Sequence, residues 1–292
     1  TINAIAMDQD GKFIDPFGGI RDLENKVIRH ISPAFTEDPL RVFRAARFAA
    51  RFKFKISTKT MKMMTEIVAR GETKYLSFER VWDELSKGLM EKYPSEMIRA
   101  LLKCNVFVHL FKGITKQKDG ESYPSIHLKS LIASLNYLAL KNFPLHIRFG
   151  VLINKILEDN YPNCFNQSET LEKFFSLFPL PKRYRDFTVV LNRFTNNISN
   201  IKSEDKPKIL EIIESADGIR RPERFEKIVT AYKALDLFSH ARQSKSSVCS
   251  TLLTSAKHLR EIDLSAYLKQ HKGKKLVKDL VREYRIKKLK DF

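Results

Sequence analysis

From Pro33 to Phe292, apolar residues recur at i, i+3 and i+4, and no segment sustains strict alternation, so the pattern predicts a long run of helices. Capping residues, glycines and prolines place helices over Thr36–Phe52, Thr58–Arg70 closed by Gly71, Ser77–Lys92 with Val81, Leu85 and Leu89 on one face, and Pro94–Phe111. A polar stretch, Lys112–Tyr123, reads as a boundary. Ser125–Glu158 gives two helices broken near Pro144, and Ser168–Asn197 two more broken around Pro179-Leu180-Pro181. Asn200–Pro207 reads as a polar linker, and the last part runs through Lys208–Ser215, Pro222–Ala241, a Ser-rich interruption at Ser244–Ser250, and Ser255–Phe292.

The first thirty or so residues follow a different pattern. Thr1–Met7 has strand character, Asp8-Gln9-Asp10-Gly11 reads as a turn, and Lys12–Asp15 as the returning strand of a hairpin. Asp8-x-Asp10-Gly11 lacks the third acidic position and the closing Glu of a calcium loop, which leaves a plain turn. Gly18-Gly19 breaks the chain before a short helical piece, Ile20–Asn25, and Lys26–Ile31 reads as another strand. So few strands cannot bury a face on their own, and the stretch is expected to be the end of a larger sheet that begins upstream. The fold class expected is mostly α, an α/β stretch followed by helices.

Thr36–Phe52 has two unlike faces. Thr36 is the expected N-cap, Glu37 and Asp38 fall in a first turn that favours negative charge, and Pro39 lacks only a donor that the first turn does not need. At about 100° per residue, Val42, Phe43, Ala46, Ala49 and Ala50 gather on one side, and Arg41, Arg44, Arg47 and Arg51 on the other with Asp38 at its edge. One reading is a solvated stripe with an Asp38–Arg41 ion pair worth a few tenths of a kcal/mol. The other is a cationic face with work to do.

Charge bears on that choice. Lys and Arg number 53 against 34 acidic residues, a formal net charge of +19. Such an excess suits a polyanionic partner, most often nucleic acid, because each neutralised phosphate releases counterions. No stretch reaches the ~18 apolar residues of a membrane-spanning helix, so no membrane partner is expected. The three cysteines, Cys104, Cys164 and Cys249, show no Cys-x-x-Cys spacing, which predicts neither a disulfide framework nor a zinc site and fits a reducing cytoplasm.

Thr1-Ile2-Asn3-Ala4, Asp15–Leu23, Arg29–Phe35 and Glu37-Asp38-x-x-Arg41 stand in an order and at a spacing that resemble the tRNA nucleotidyltransferase (CCA-adding enzyme) family, related to bacterial poly(A) polymerases. The resemblance is specific over Thr1–Phe111 and thinner beyond. It implies the end of a nucleotidyltransferase head at residues 1–31, nucleotide-selecting neck helices at 32–111, body helices at 112–199, and a tRNA-binding tail at 200–292. It also implies addition of C, C and A to the tRNA 3′ end from CTP and ATP. The Asp-x-Asp pair that holds magnesium in the family has no candidate here and is expected upstream, so this stretch alone is expected to be inactive.

Residue by residue, the resemblance makes Asn3 a polar contact to the nucleotide, although its type equally suits a backbone partner at a strand edge. Gly18 and Gly19 would serve a hinge. Asp38 and Arg41 would select the base. A carboxylate offers only acceptors and a guanidinium only donors, a pair that matches the amino group and ring nitrogen of cytosine and adenine and mismatches uracil and guanine. Arg44 and Arg47 would face the triphosphate or the base pocket, with Glu37 and Arg80 in support. Arg80 and Glu84, four apart, also read as an ordinary helix pair. His127 and His146 lie where some relatives carry a His-Asp phosphohydrolase motif, but no His-Asp occurs and no hydrolase activity is expected.

The last predicted helix, Lys272–Phe292, sets Leu276, Val277, Leu280, Val281 and Tyr284 against a dense basic face. There Lys274, Lys275, Lys278, Arg282 and Arg285 are the candidates for tRNA phosphates, with recognition by shape and backbone. Three alternatives stay open: a poly(A) polymerase, an A-adding or CC-adding specialist, and a noncatalytic tRNA-binding module. Arg29-His30-Ile31-Ser32-Pro33-Ala34-Phe35-Thr36 resembles the CCA-adding branch better than the polymerase branch.

Overall fold

The computed structural model describes residues 1–115, 125–161, 167–198, 201, 204–235, 242–271 and 276–292. Two compact units, Thr1–Arg185 and Asp186–Phe292, divide the chain. The first begins with a single 3₁₀ turn, Ile2–Ala4, so only Ala6–Met7 (β1) of the predicted Thr1–Met7 strand is extended. β1 pairs antiparallel with Phe13–Ile14 (β2), Ala6 opposite Ile14 and Met7 opposite Phe13. The Asp8 carboxylate closes the turn, its Oδ1 accepting from the Asp10 and Lys12 amides at 3.1 and 2.8 Å.

Helix α1 (Gly19–Glu24) starts where Gly18 takes a left-handed conformation with φ 69°. At Gly19 a Cβ would stand 2.8 Å from the Thr1 carbonyl oxygen, so the helix lies against the first residues only because that side chain is absent. Val27–Ile28 (β3) pairs in parallel with Lys55–Ile56 (β4), a strand that the sequence pattern does not predict. Two residues are too few to show alternation, and β4 sits between two strongly helical segments.

The predicted helix Thr36–Phe52 is in fact two pieces. Pro33–Glu37 forms a 3₁₀ segment, Asp38 is extended at φ −125° and ψ 106°, and α2 runs Leu40–Phe52. The cause is Pro39, which disfavours α-geometry in the residue before it. Asp38 takes the capping role expected of Thr36, its Oδ1 accepting from the Leu40 amide at 3.1 Å, while the Thr36 hydroxyl donates back to Pro33 O. The buried face of α2 is the one predicted, with Val42, Ala46 and Ala50 fully inaccessible. It packs against α4 (Phe78–Met90) and α5 (Pro94–Lys103), the alanines permitting close approach. Val42 and Phe43 contribute roughly 1.5–3 kcal/mol each by burial.

Helix α3 (Thr58–Ala69) is capped by Ser57, whose hydroxyl accepts from the Thr60 amide. The predicted Pro94–Phe111 helix divides at Asn105, which has φ 64°, into α5 and α6 (Val106–Leu110). Asn tolerates that conformation because its short amide can bond locally. Beyond residues 116–124 come α7 (Ser125–Leu140) and α8 (Leu145–Asn160), broken at Pro144 as expected, then α9 (Gln167–Leu177) and α10 (Lys182–Ile198), broken at the Pro179–Pro181 stretch. A buried arginine that the sequence did not flag, Arg148, ends α4: its Nε and Nη1 donate to Phe143 O at 2.7 Å and Leu89 O at 2.8 Å.

The second unit packs α11 (Lys206–Ser215), α12 (Pro222–Leu235), α13 (Arg242–Glu261), α14 (Ser265–Gln270) and α15 (Val277–Lys290). The Ser-rich interruption at Ser244–Ser250 is not one, since α13 runs through it. The Ser250 and Thr251 hydroxyls donate back to Ser247 O at 2.8 and 3.1 Å and so serve the helix instead of competing with it. Buried Val248, Cys249 and Leu252 hold its inner face. On α15 the inward residues are Leu280 and Leu289, whereas the predicted Leu276 and Val277 are 75% and 65% exposed.

Candidate functional site

In the first unit a cavity of about 400 Å³ lies between residues 1–3, the stretch 28–35, and α2. Its walls are apolar where Ile28, Phe35, Phe48 and Phe52 face it, and cationic where Arg29, Arg41 and Arg44 do. Of the sequence candidates, Asn3, Arg41 and Arg44 line it. The Asn3 amide makes no hydrogen bond among the described residues, so the backbone role open to it is not filled there.

The three arginines are not equivalent. Arg29 is committed to buried Asp22, its Nε 3.0 Å from Oδ2, and the Thr1 hydroxyl donates to the same oxygen at 2.7 Å. Hydrogen bonds from Arg29, then Thr1, hold the Asp22 carboxyl below its ordinary range against the opposing effect of burial. Arg41 donates from Nη1 to Ala34 O, which fixes its plane while leaving its other donors available. Arg44 is half exposed and only loosely drawn to Glu84 at 3.9 Å. The net positive charge of the cavity therefore resides on Arg41 and Arg44.

Asp38 and Arg47 are placed elsewhere. Asp38 does not pair with Arg41 but with Arg80 of α4, whose Nη2 stands 3.1 and 3.2 Å from its two oxygens. Arg47 lies inside the α2–α4 contact, its Nε 2.6 Å from Glu84 Oε2 and its Nη1 3.8 Å from Glu91. The ordinary Arg80–Glu84 pair is thus replaced by two crossed ones: α4 presents Arg80 to Asp38 and Glu84 to Arg47. Glu37 is exposed and forms no ion pair among the described residues. Sequence reasoning misses Glu84 as an anchor. Its signal is a carboxylate seated beside Val81 and Leu85 on an apolar face, where only a pairing partner makes burial tolerable.

His30 and Thr60 also line the cavity, and sequence reasoning does not single them out. The Thr60 hydroxyl, fully buried, accepts from the His30 backbone amide at 3.1 Å and lies 2.7 Å from His30 Nδ1 and 2.8 Å from Ser57 Oγ. Burial, then the Arg29 charge, lowers the His30 pKa. Among the described residues no three His, Cys, Asp or Glu side chains come together in a way that could hold a metal ion.

In the second unit α15 and α11 border a cavity of about 360 Å³ lined by Arg220, Lys278, Arg282 and Arg285 with Glu214 and Asp217. Arg285 is tied to Glu214 at 2.8 Å and Arg220 to Asp217 at 2.8 Å, whereas Lys278 and Arg282 have no acidic partner among the described residues. Lys274 and Lys275 lie outside the described residues, as does the side chain of His127. His146 is buried, with Arg183 Nη2 3.0 Å from its Nδ1. No helix among the described residues is long and apolar enough to cross a membrane.

Comparison with known proteins gives this geometry a setting. Residues 1–29 match the family described as the poly A polymerase head domain, and residues 53–118 the one described as a probable RNA and SrmB-binding site of polymerase A. The chain is 36% identical over 248 residues to a multifunctional CCA protein of Nitrosospira multiformis, covering 79% of this chain and 59% of the relative. With the multifunctional CCA protein of Neisseria gonorrhoeae it shares 36% identity over 244 residues, covering 77% and 58%. The chain spans about three fifths of the length of the curated relatives it matches. Its fold is that of the Thermotoga maritima CCA-adding enzyme complexed with tRNA, at a TM-score of 0.69 and 22% identity over 100% of this chain and 68% of that one. A CCA-adding enzyme in complex with CTP gives a TM-score of 0.69 at 22% identity, over 99% of this chain and 66% of that one. These relatives support the family resemblance read from the sequence, and the mostly helical fold expected from it is the one found.

Proposed function

We propose that the protein adds C, C and A to the 3′ end of tRNA from CTP and ATP, with magnesium, and that this chain supplies nucleotide selection and tRNA binding. The observation that carries the reading is the joint placement of Arg41, Arg44 and Asn3 around one apolar-walled cavity, with Asp38 held by Arg80 at the start of the same helix. The relatives named above give it its chemistry.

In this reading a base enters between the aromatic walls and Arg41 donates to its ring nitrogen, while Asp38, which Arg80 holds outside the cavity lining, turns toward the base to accept from its amino group. Both C and A satisfy that pair, and U and G leave the carboxylate and the guanidinium each facing a group of its own kind, a mismatch worth factors of about 10⁴. Arg44, the least committed cation, faces the triphosphate. Arg47 acts through the helix contact, as a positioning residue. Lys278 and Arg282, with Arg285 oriented by Glu214, meet tRNA phosphates by charge; Lys274 and Lys275 belong to the same basic stretch of sequence.

The test compares wild type with Arg41→Ala, in the protein made from its complete reading frame, for incorporation of each labelled nucleotide into tRNA. Loss of the discrimination against UTP supports the reading, and unchanged discrimination overturns it. A poly(A) polymerase is the second reading, favoured by the descriptions of the two matched families. It predicts repeated A incorporation and no C.

A further inference from the structure

The cavity holds a second polar device, apart from the arginines, built from His30, Thr60 and Ser57. Three partners converge on one hydroxyl. The His30 backbone amide occupies one lone pair of Thr60 Oγ1, at 3.1 Å. That leaves one lone pair and one proton for the two remaining neighbours, Ser57 Oγ at 2.8 Å and His30 Nδ1 at 2.7 Å. Ser57 Oγ already accepts from the Thr60 amide at 3.2 Å. If Ser57 donates to Thr60 and Thr60 donates to Nδ1, both hydroxyl protons are used. In the reverse order the Ser57 proton has no partner at a part-buried site, which is the costlier arrangement.

The favoured order makes Nδ1 an acceptor and puts the imidazole proton on Nε2. Among the described residues Nε2 has no hydrogen-bond partner, and His30 and Asn3 line the same cavity. Among the charged groups near the ring are Arg29, its neighbour in the chain, and Lys59 on α3, while Arg41 and Arg44 of α2 line the same cavity. Burial, then the Arg29 charge, disfavours a further proton. The ring is therefore a neutral donor, held by a part-buried relay, in a cavity whose other polar lining is the guanidinium donors, the Asn3 amide and the Thr1 and Ser32 hydroxyls.

We propose that His30 donates a hydrogen bond from Nε2 to an acceptor oxygen on the sugar–phosphate part of the bound nucleotide, and that Thr60 is the positioning residue that orients it. The proposal rests on the nucleotide reading of the cavity. It assigns the sugar–phosphate part because that reading gives the base edge to Asp38 and Arg41 and makes Asn3, which lines the same cavity as His30, a polar contact to the nucleotide.

The experiment measures binding of CTP and ATP to the full chain by calorimetry, for wild type, His30→Ala, His30→Gln, Thr60→Val, Thr60→Ser and Arg41→Ala, with thermal melts of each. His30→Ala is expected to weaken binding about tenfold, the worth of one hydrogen bond to a charged or polar acceptor. His30→Gln, which restores a donor, and Thr60→Ser, which restores the hydroxyl, should regain most of that loss. Thr60→Val should not. Cytidine and adenosine, which lack phosphate, separate the two oxygen sources: a penalty kept with the nucleosides assigns the sugar, and one seen only with the triphosphates assigns phosphate. Full-strength binding by a folded His30→Ala while Arg41→Ala binds weakly overturns this inference alone. Undiminished binding by both, or none by wild type, overturns the nucleotide reading beneath it as well. If His30→Ala melts early, His30→Gln and Thr60→Val decide: equal binding by both and wild type overturns the role.

Discussion

Replacing Glu84 by Ala should markedly destabilise the first unit. Glu84 is 4% exposed in a contact between α2 and α4, and its carboxylate meets Arg47 at 2.6 Å and Arg44 at 3.9 Å. Arg47 has a side chain only 12% exposed, so removing Glu84 strands a cation where water reaches it poorly. Breaking a buried pair from one side costs about 3–5 kcal/mol. Two contacts reduce the figure: Glu91 remains 3.8 Å from Arg47 Nη1, and the guanidinium stays 4.6 Å from the Phe48 ring centroid. The half-exposed Arg44 contact is worth about 0–1 kcal/mol. We therefore expect about 3 kcal/mol, a drop in Tm of about 6–12 °C for a unit of this size. Thermal and urea denaturation followed by circular dichroism would read it. Removing both charges with apolar residues of similar volume, Glu84→Leu with Arg47→Met, should restore stability to within about 1 kcal/mol of wild type. A Glu84→Ala protein that melts within a degree of wild type would refute the reasoning, and so would a double variant no better than the single one.

Further outcomes follow from the same geometry. Asp22 has a folded pKa below its unfolded value of about 3.9, so its pairing with Arg29 stabilises the protein above that pH and is lost as pH falls through the folded value. Urea midpoints taken from about pH 5 to about pH 2 should fall less steeply in Asp22→Asn than in wild type; parallel curves would contradict the pairing. Neutralising Lys278 and Arg282 to Gln should weaken tRNA binding and flatten its dependence on salt by roughly 0.7–0.9 for each phosphate left without its cation, read by filter binding across a salt series. An unaltered slope would place the RNA elsewhere. Burial pushes the Cys104 thiol up to about 11, so alkylation at neutral pH should spare Cys104 in the folded protein and reach it after denaturation.

Much of the helical order was legible because periodicity and breakers report directly on burial. Pro144 and the Pro179–Pro181 stretch separate helices as predicted, and the buried face of α2 is the one that its apolar spacing indicates. What the sequence hid depends on local competition or on partners far along the chain. Pro39 governs Asp38 and so breaks the helix that capping rules drew from Thr36. The serines of α13 look like a breaker but bond back to their own helix. β4 is visible only through its pairing with β3. In the site, the shared cationic face of Arg41 and Arg44 could be read from spacing, whereas the allegiance of Asp38 to Arg80 and of Arg47 to Glu84 requires the crossing of α2 and α4. The Thr60–His30 relay joins residues thirty apart with no motif to announce it.

The central claim is tested most directly by incubating the protein made from its complete reading frame with magnesium, tRNA lacking its CCA end, and each labelled nucleotide singly and in combination. The account predicts two C and one A per tRNA, with no incorporation of U or G. A homopolymer of A, or U incorporated as readily as C, would contradict it.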